Sequence, residues 1–331
     1  MDEQTFDLNA ARKVFSRIGL SLAVILVLGT VVQIVLSVAA VALLGADSPV
    51  LESSGFMWLM SFLPLYLAAI PVGLLMMRRL PSQPPEQHKL GGMNGFVFFL
   101  ICVFLMYTGN LVGTMLSMVL SGGGAVNGVA ELAMDNHPLK VLFMVILAPL
   151  LEELVFRRRI IDKTRCYGEK TAALLSAIAF GLIHQNLFQF FYAFALGLVF
   201  AYIYLRTGRL RYTVILHSII NFMGSILAPA ILSLPAMEQL AALDPNMPYE
   251  EMMALYIEVL PQLLLVLGYS MALMGVFVAG LVLFIIKVRR LIWKDASTPL
   301  PAGSAFKTVY LNGGMVLFML LCCVMFVVSL L

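Results

Sequence analysis

LKVLFMVILAPLLEELVFRRRIIDKTRCYGEK, residues 139–170, decides the architecture. Its first half is apolar over nearly the length that crosses a hydrocarbon core of about 30 Å at 1.5 Å per residue. It then runs into Arg157, Arg158, Arg159, Lys163, Arg165 and Lys170. An apolar run closed by a block of Lys and Arg reads as a membrane helix emerging into the cytoplasm. Two acids, Glu152 and Glu153, lie inside that run. A charge at the centre of a membrane helix costs about 2.5–3.5 kcal/mol on insertion scales, so acids persist there when they line a cavity or pair.

The same alternation extends along all 331 residues. Windows long enough to span fall at 18–46, 55–77, 95–121, 139–161, 170–187, 189–205, 212–234, 262–286 and 308–331. Every Lys and Arg except Lys140 lies before the first window or in alternate loops after it: Arg12, Lys13 and Arg17, then the 78–89 group, the 157–170 group, Arg206 to Arg211, and Lys287 to Lys307. The intervening loops, 47–54, 122–138 and 235–261, carry acids. By the positive-inside rule the N-terminus and the basic loops are cytoplasmic. The expected fold is therefore all-α, a polytopic membrane bundle of about nine transmembrane helices, multi-pass in a bacterial plasma membrane. Composition agrees: 61% of residues are hydrophobic and 12% charged, against about 25% charged in a soluble domain. The net charge of +3 gives no case for nucleic acid. The first window exceeds a signal-peptide core, so it reads as a retained anchor. Cys102, Cys166, Cys322 and Cys323 have neither zinc-ligand nor disulfide-framework spacing and read as packing residues.

Three regions follow. Residues 1–94 hold two helices and a Pro- and Gly-rich cytoplasmic linker, 95–234 form a core that contains the polar spans, and 235–331 hold an outer loop and two further helices. Pro248 to Glu251 open a short amphipathic helix expected at the outer interface. Between the fifth and sixth windows the link is only Leu187-Phe188, with Gln185, Asn186 and Gln189 as polar neighbours, which demands a tight hairpin; irregular backbone at that depth borders a cavity.

Three helical pairs carry the chemistry. In Glu152-Glu153-Leu154-Val155-Phe156-Arg157, Glu153 and Arg157 share a face at i, i+4 in the favourable order. Neighbouring helical residues point about 100° apart, so Glu152 should face elsewhere, among Pro149, Leu150 and Leu151, a setting suited to a general base. Phe180 and His184 share a face on the fifth window, and His217 and Asn221 share one on the seventh. The last two offer ring and amide N–H donors in one direction, as stabilisation of an oxyanion requires. Each pair has a plainer reading: an ion pair ending a helix, a histidine satisfied by a carbonyl, a polar contact between helices. His88 and His137 lie in loops and read as solvated, and Ser218 as packing.

Taken in order as EExxxR, FxxxH and HxxxN, these motifs resemble the CPBP family of intramembrane proteases, the type II CAAX prenyl endopeptidases and bacterial relatives linked to bacteriocin processing and self-immunity (Abi-type). The resemblance covers 139–225. It implies catalytic roles for Glu152, His184, His217 and Asn221: Glu152 activates water with His184, and His217 and Asn221 stabilise the oxyanion. Glu153, Arg157 and Phe180 are supporting. The implied partners are the lipid bilayer and a membrane-associated peptide or protein, prenylated and CAAX-like in the eukaryotic branch, with no cofactor. A zinc enzyme using Glu152, His184 and His217 stays open, as do a proton-coupled transporter and a non-catalytic immunity protein. Glu152 and His217 lie about 9 to 14 Å from the cytoplasmic boundary, which places cleavage just inside that leaflet. His184 fits this badly, being about 21 Å along its helix from Lys170.

Overall fold

A computed structural model describes residues 7–244 and 246–331. Among these residues the ordered structure is helical throughout, with no strand. In chain order the helices are α1 (Leu8–Leu44), α2 (Ser54–Met77), α3 (Gly92–Leu120), the short α4 (Gly128–Met134), α5 (141–164), α6 (Glu169–Leu182), α7 (Leu187–Thr207), α8 (Leu210–Leu232), the short α9 (Pro235–Ala241), α10 (Tyr249–Val288), the short α11 (Ala305–Val309) and α12 (Gly313–Val328). The protein is a polytopic helical bundle. Each of the nine apolar windows falls on a helix, but among the described residues six helices (α1, α2, α3, α7, α8 and α10) are long and apolar enough to cross a membrane. The remaining three are α5, which carries the charges of the opening stretch, and the shorter α6 and α12.

Prolines shape three of these rods. In α2, α5 and α8 the segments Pro64–Ala69, Val141–Leu147 and Met223–Leu227 widen so that each N–H reaches the carbonyl five residues back. Pro71, Pro149 and Pro229 follow each segment by two residues. A proline has no N–H to give and crowds the carbonyl four residues before it, so the preceding turn opens to find that carbonyl another donor. A fourth wide segment, Leu154–Ile161, follows Glu153 directly and contains Arg157.

Lipid tails supply no hydrophobic drive between helices, so close backbone approach has to hold them together. The tightest neighbours are α3 with α7, α1 with α2, α6 with α7, α1 with α12, and α10 with α3. Gly109 and Gly113, a GxxxG pair missed in reading the sequence, explain the first. A Cβ on Gly113 would sit 2.4 Å from the Leu187 carbonyl oxygen, and one on Gly109 would sit 2.5 Å from the Tyr192 backbone. Gly113→Ala is therefore expected to destabilise by about 1–3 kcal/mol through overpacking, despite a helix-propensity gain of about 1 kcal/mol. Gly275→Ala on α10, where a Cβ meets nothing within 4 Å, should be neutral or stabilising. Thermal unfolding of the two variants in detergent checks the opposite signs.

Both ends of the bundle are organised by polar contacts. At the basic end the 78–91 linker and the 291–301 segment fold across the α5–α6 turn. The Gln83 N–H donates to the Asp162 carbonyl (2.7 Å), Lys163 Nζ to the Leu80 carbonyl (2.7 Å), Arg165 to the Pro84 carbonyl (2.7 Å), and the Thr298 N–H to the Cys166 carbonyl (2.9 Å). Glu169 pairs there with Arg206 and accepts the Lys294 N–H at 2.8 Å. At the other end Asn127 caps α4 through the Ala130 N–H (3.2 Å), and buried Lys140 donates to the Ala133 carbonyl at its far end (2.9 Å). A cation is well placed on those last carbonyls, which accounts for the one basic residue outside the basic loops. Asp135 accepts from the Ser54 hydroxyl and from Trp58 Nε1 (2.7 Å). The Ser54 hydrogen bond, followed by those from Trp58 and the His137 N–H, holds its carboxyl below the usual range.

Two expectations change. The segment opening at Pro248 is not a separate interfacial helix; it continues unbroken through Pro261 as the first turns of the 40-residue α10. Pro261, which reads in sequence as a helix break, is carried inside the rod. His137 is half-buried rather than solvated, its Nδ1 accepting the Leu139 N–H at 3.2 Å.

Candidate active site

A cavity of about 640 Å³ lies within the bundle, and Glu152, His184, His217 and Asn221 all line it. Four features of local structure put them there. Glu152 lies in the regular stretch of α5, Ala148–Glu153, which Pro149 opens. His184 stands just past the last turn of α6, where Gln185 takes a left-handed φ of 60° to reverse the chain. Asn186 starts α7, accepting the Gln189 N–H (2.9 Å) and donating to the His184 carbonyl (2.7 Å). The expected tight hairpin is thus fixed by side-chain caps. His217 and Asn221 are one turn apart on α8, and the Asn221 amide donates to the Met144 carbonyl at 2.8 Å, tying α8 to α5.

The imidazoles are set by what they touch. Nδ1 of His184 lies 2.7 Å from the Phe180 carbonyl. A carbonyl only accepts, so Nδ1 carries the proton and Nε2 of a neutral ring is left with its lone pair. His217 places Nδ1 3.1 Å from Glu153 Oε1 and Nε2 3.7 Å from Glu152 Oε2. Both carboxylates therefore address one ring from opposite sides. The two acids face different surroundings, Glu152 the cavity and Glu153 the buried Arg157, yet a ring with two nitrogens spans the 100° between neighbouring side chains. Glu152 is partly open, with 22% of its side chain exposed, whereas Glu153 has none exposed.

Behind the ring lies a closed ion pair. Arg157 Nε is 3.1 Å from Glu153 Oε2, both side chains fully buried. Nη1 of Arg157 donates to the Ser176 hydroxyl (3.0 Å), which itself donates to the Phe156 carbonyl (2.8 Å). Nη2 has no hydrogen-bond acceptor; the guanidinium instead lies over the Phe180 ring (4.6 Å) and toward Phe200 (5.6 Å), where ring faces offer negative potential to a desolvated cation. Phe180 also meets both histidines edge-on, at 5.1 Å for His184 and 5.6 Å for His217.

Sequence reasoning missed Ser176 and Phe200. Ser176 sits among Ala172, Ala173 and Ala177 on α6, and one hydroxyl on a face of small residues is a usable signal for a buried contact. Phe200 is one of many aromatics on α7 and carries no local signal. Among the described residues no three His, Cys, Asp or Glu side chains are grouped to hold a metal ion, and Nδ1 of His217 is taken by Glu153.

Residues 135–223, which include every motif residue, match the family model described as Type II CAAX prenyl endopeptidase Rce1-like. The chain is also 26% identical over 183 residues, 53% of its own length and 72% of the relative's, to a protein of Bacillus subtilis (strain 168) named Putative membrane peptidase YdiL. No solved structure matches. Through residues 135–223 the chain is similar to the type II CAAX prenyl endopeptidases of the Rce1-like kind, and over 183 residues to that membrane peptidase.

Proposed function

We propose that the protein is a metal-free, glutamate-type endopeptidase that hydrolyses a peptide bond of a membrane-associated polypeptide inside this cavity. The observation that carries the reading is the convergence of one partly open carboxylate, two oriented imidazoles and a carboxamide on a single cavity with a closed ion pair behind it. Glu152 takes a proton from water as the water oxygen bonds to the carbonyl carbon. His184, whose free Nε2 is an acceptor, holds that water. Negative charge then develops on the former carbonyl oxygen, and the Asn221 amide N–H not given to Met144 stabilises it, joined by Nε2–H of His217 when that ring carries a second proton beside the one held by Glu153. As the C–N bond breaks, Glu152 passes the proton to the leaving nitrogen, giving a carboxylic acid and an amine. Glu153 orients His217 through Nδ1, and Arg157 holds Glu153. The integral membrane position is that of a bacterial plasma membrane.

The test is cleavage of a membrane-tethered peptide library by the purified protein. New termini should appear, at a rate unchanged by a chelator. Asn221→Ala should slow cleavage by about 10²–10³-fold, the cost of one oxyanion donor. Activity abolished by chelation and restored by zinc would replace the mechanism, and no cleavage of any peptide would remove the enzymatic reading in favour of binding, immunity or transport.

A further inference from the structure

The direction in which the cavity extends identifies where its substrates come from. None of its lining residues belongs to a basic loop: 78–91, 157–170, 206–211 and 287–307 contribute nothing. On α8 the lining begins at His217, about 10 Å from Leu210, and continues through Ala228 to Leu232, where the helix ends far from Arg209 and Arg211. The α6–α7 hairpin supplies His184 and Gln189, and both helices have their basic ends on the opposite face. Five residues between Asn127 and Ala133, within and just before α4 in a loop that carries no Lys or Arg, complete the wall. The floor toward the basic loops is closed by the fully buried Glu153–Arg157 pair, and beyond it the 78–91 and 291–301 segments are hydrogen-bonded over the α5–α6 turn.

Given the positive-inside rule, we infer that the site is served from the extracytoplasmic face, and that its substrates are membrane-anchored polypeptide segments presented at the outer leaflet rather than cytosolic tails. The substrate class rests on the peptidase reading; the direction of access does not. It reverses the side expected from distances along single helices, and it removes the difficulty with His184. That residue lies far from Lys170 because the chemistry faces the other way.

Access is read by thiol labelling of the full-length protein in intact cells and in inside-out vesicles with a membrane-impermeant maleimide. Gly224→Cys lines the cavity at a position where an added Cβ meets nothing within 4 Å. Ala130→Cys lies on α4 at the rim, and Gln87→Cys in the basic linker marks the cytoplasmic face. The unaltered chain gives the background from its own four cysteines. Gly224→Cys and Ala130→Cys should react from outside and lose that labelling in inside-out vesicles, while Gln87→Cys does the reverse. Reaction of Gly224→Cys and Ala130→Cys from the same face as Gln87→Cys, or from neither face, overturns outward access. A tethered peptide with its cleavable segment outside should be cut, and the same segment turned inward should not; cleavage confined to the inward one refutes the substrate assignment. Outward labelling without cleavage of either refutes the peptidase reading and the substrate class together, and leaves the outward access intact.

Discussion

Glu152→Ala eliminates cleavage of a membrane-tethered peptide by about 10²–10⁴-fold, the range set by loss of a positioned general base, while the protein folds and extracts as before. Both halves follow from position. Glu152 lines the cavity and keeps part of its side chain open to it, so its removal leaves no sealed charge behind. It reaches His217 only at 3.7 Å, whereas Glu153 holds the same ring at 3.1 Å, so the imidazole keeps its place without Glu152. Glu152→Gln separates charge from shape and should be nearly as inactive. Turnover measured beside thermal unfolding gives the answer, and equal cleavage by wild type and Glu152→Ala would reject the assigned role.

Arg157→Ala acts in the opposite way, on the fold first. Removing one partner of a buried ion pair costs about 3–5 kcal/mol, because the other charge is left uncompensated. Against a total stability of about 5–15 kcal/mol that is enough to lower yield and midpoint together. Arg157→Lys should not rescue it. An ammonium cannot reach Glu153 and Ser176 as a fork while lying flat between two phenylalanine rings. Replacing both members, as Glu153→Gln with Arg157→Met, should cost less than Arg157→Ala alone, since no lone charge stays buried. Detergent unfolding curves for the four proteins test this ordering; an Arg157→Ala midpoint equal to that of wild type would show that the pair holds nothing together.

Much of the fold was legible because the membrane restricts the choices. Apolar length, loop charge and the demand that backbone groups pair internally leave a helical bundle as the solution. The motif pairs were legible for a similar reason: polar side chains stand out when nearly everything around them is Leu, Val or Phe. Helix lengths were less so. Nothing in the residues around Pro248 or Pro261 announces that α10 continues as one rod, since a proline near a helix start and a proline inside one read alike without tertiary context. The sharing of His217 by two adjacent acids was hidden because a helical wheel describes one helix, and the ring that bridges them arrives on another. The outward access proposed above was not legible for the same reason. Distance along α5 locates Glu152 between two faces, but which face the cavity reaches depends on α4, the α6–α7 hairpin and the far end of α8.

The length of α10 has a consequence of its own. Its 40 residues make a rod of about 60 Å, twice a hydrocarbon thickness of about 30 Å. Leaning by 40°, the upper end of the usual range, absorbs only about 40 Å of it. Roughly a dozen residues must therefore stand clear of the lipid. The end that carries Glu250, Glu251 and Glu258 is the acidic one, fastened at its base where Gln262 Oε1 accepts the Ala236 N–H, four residues beyond Leu232 of the cavity wall. With access from the outer face as proposed, this negatively charged mast stands beside the entrance, where a bulky folded domain would collide with it and a thin unfolded strand would slip past.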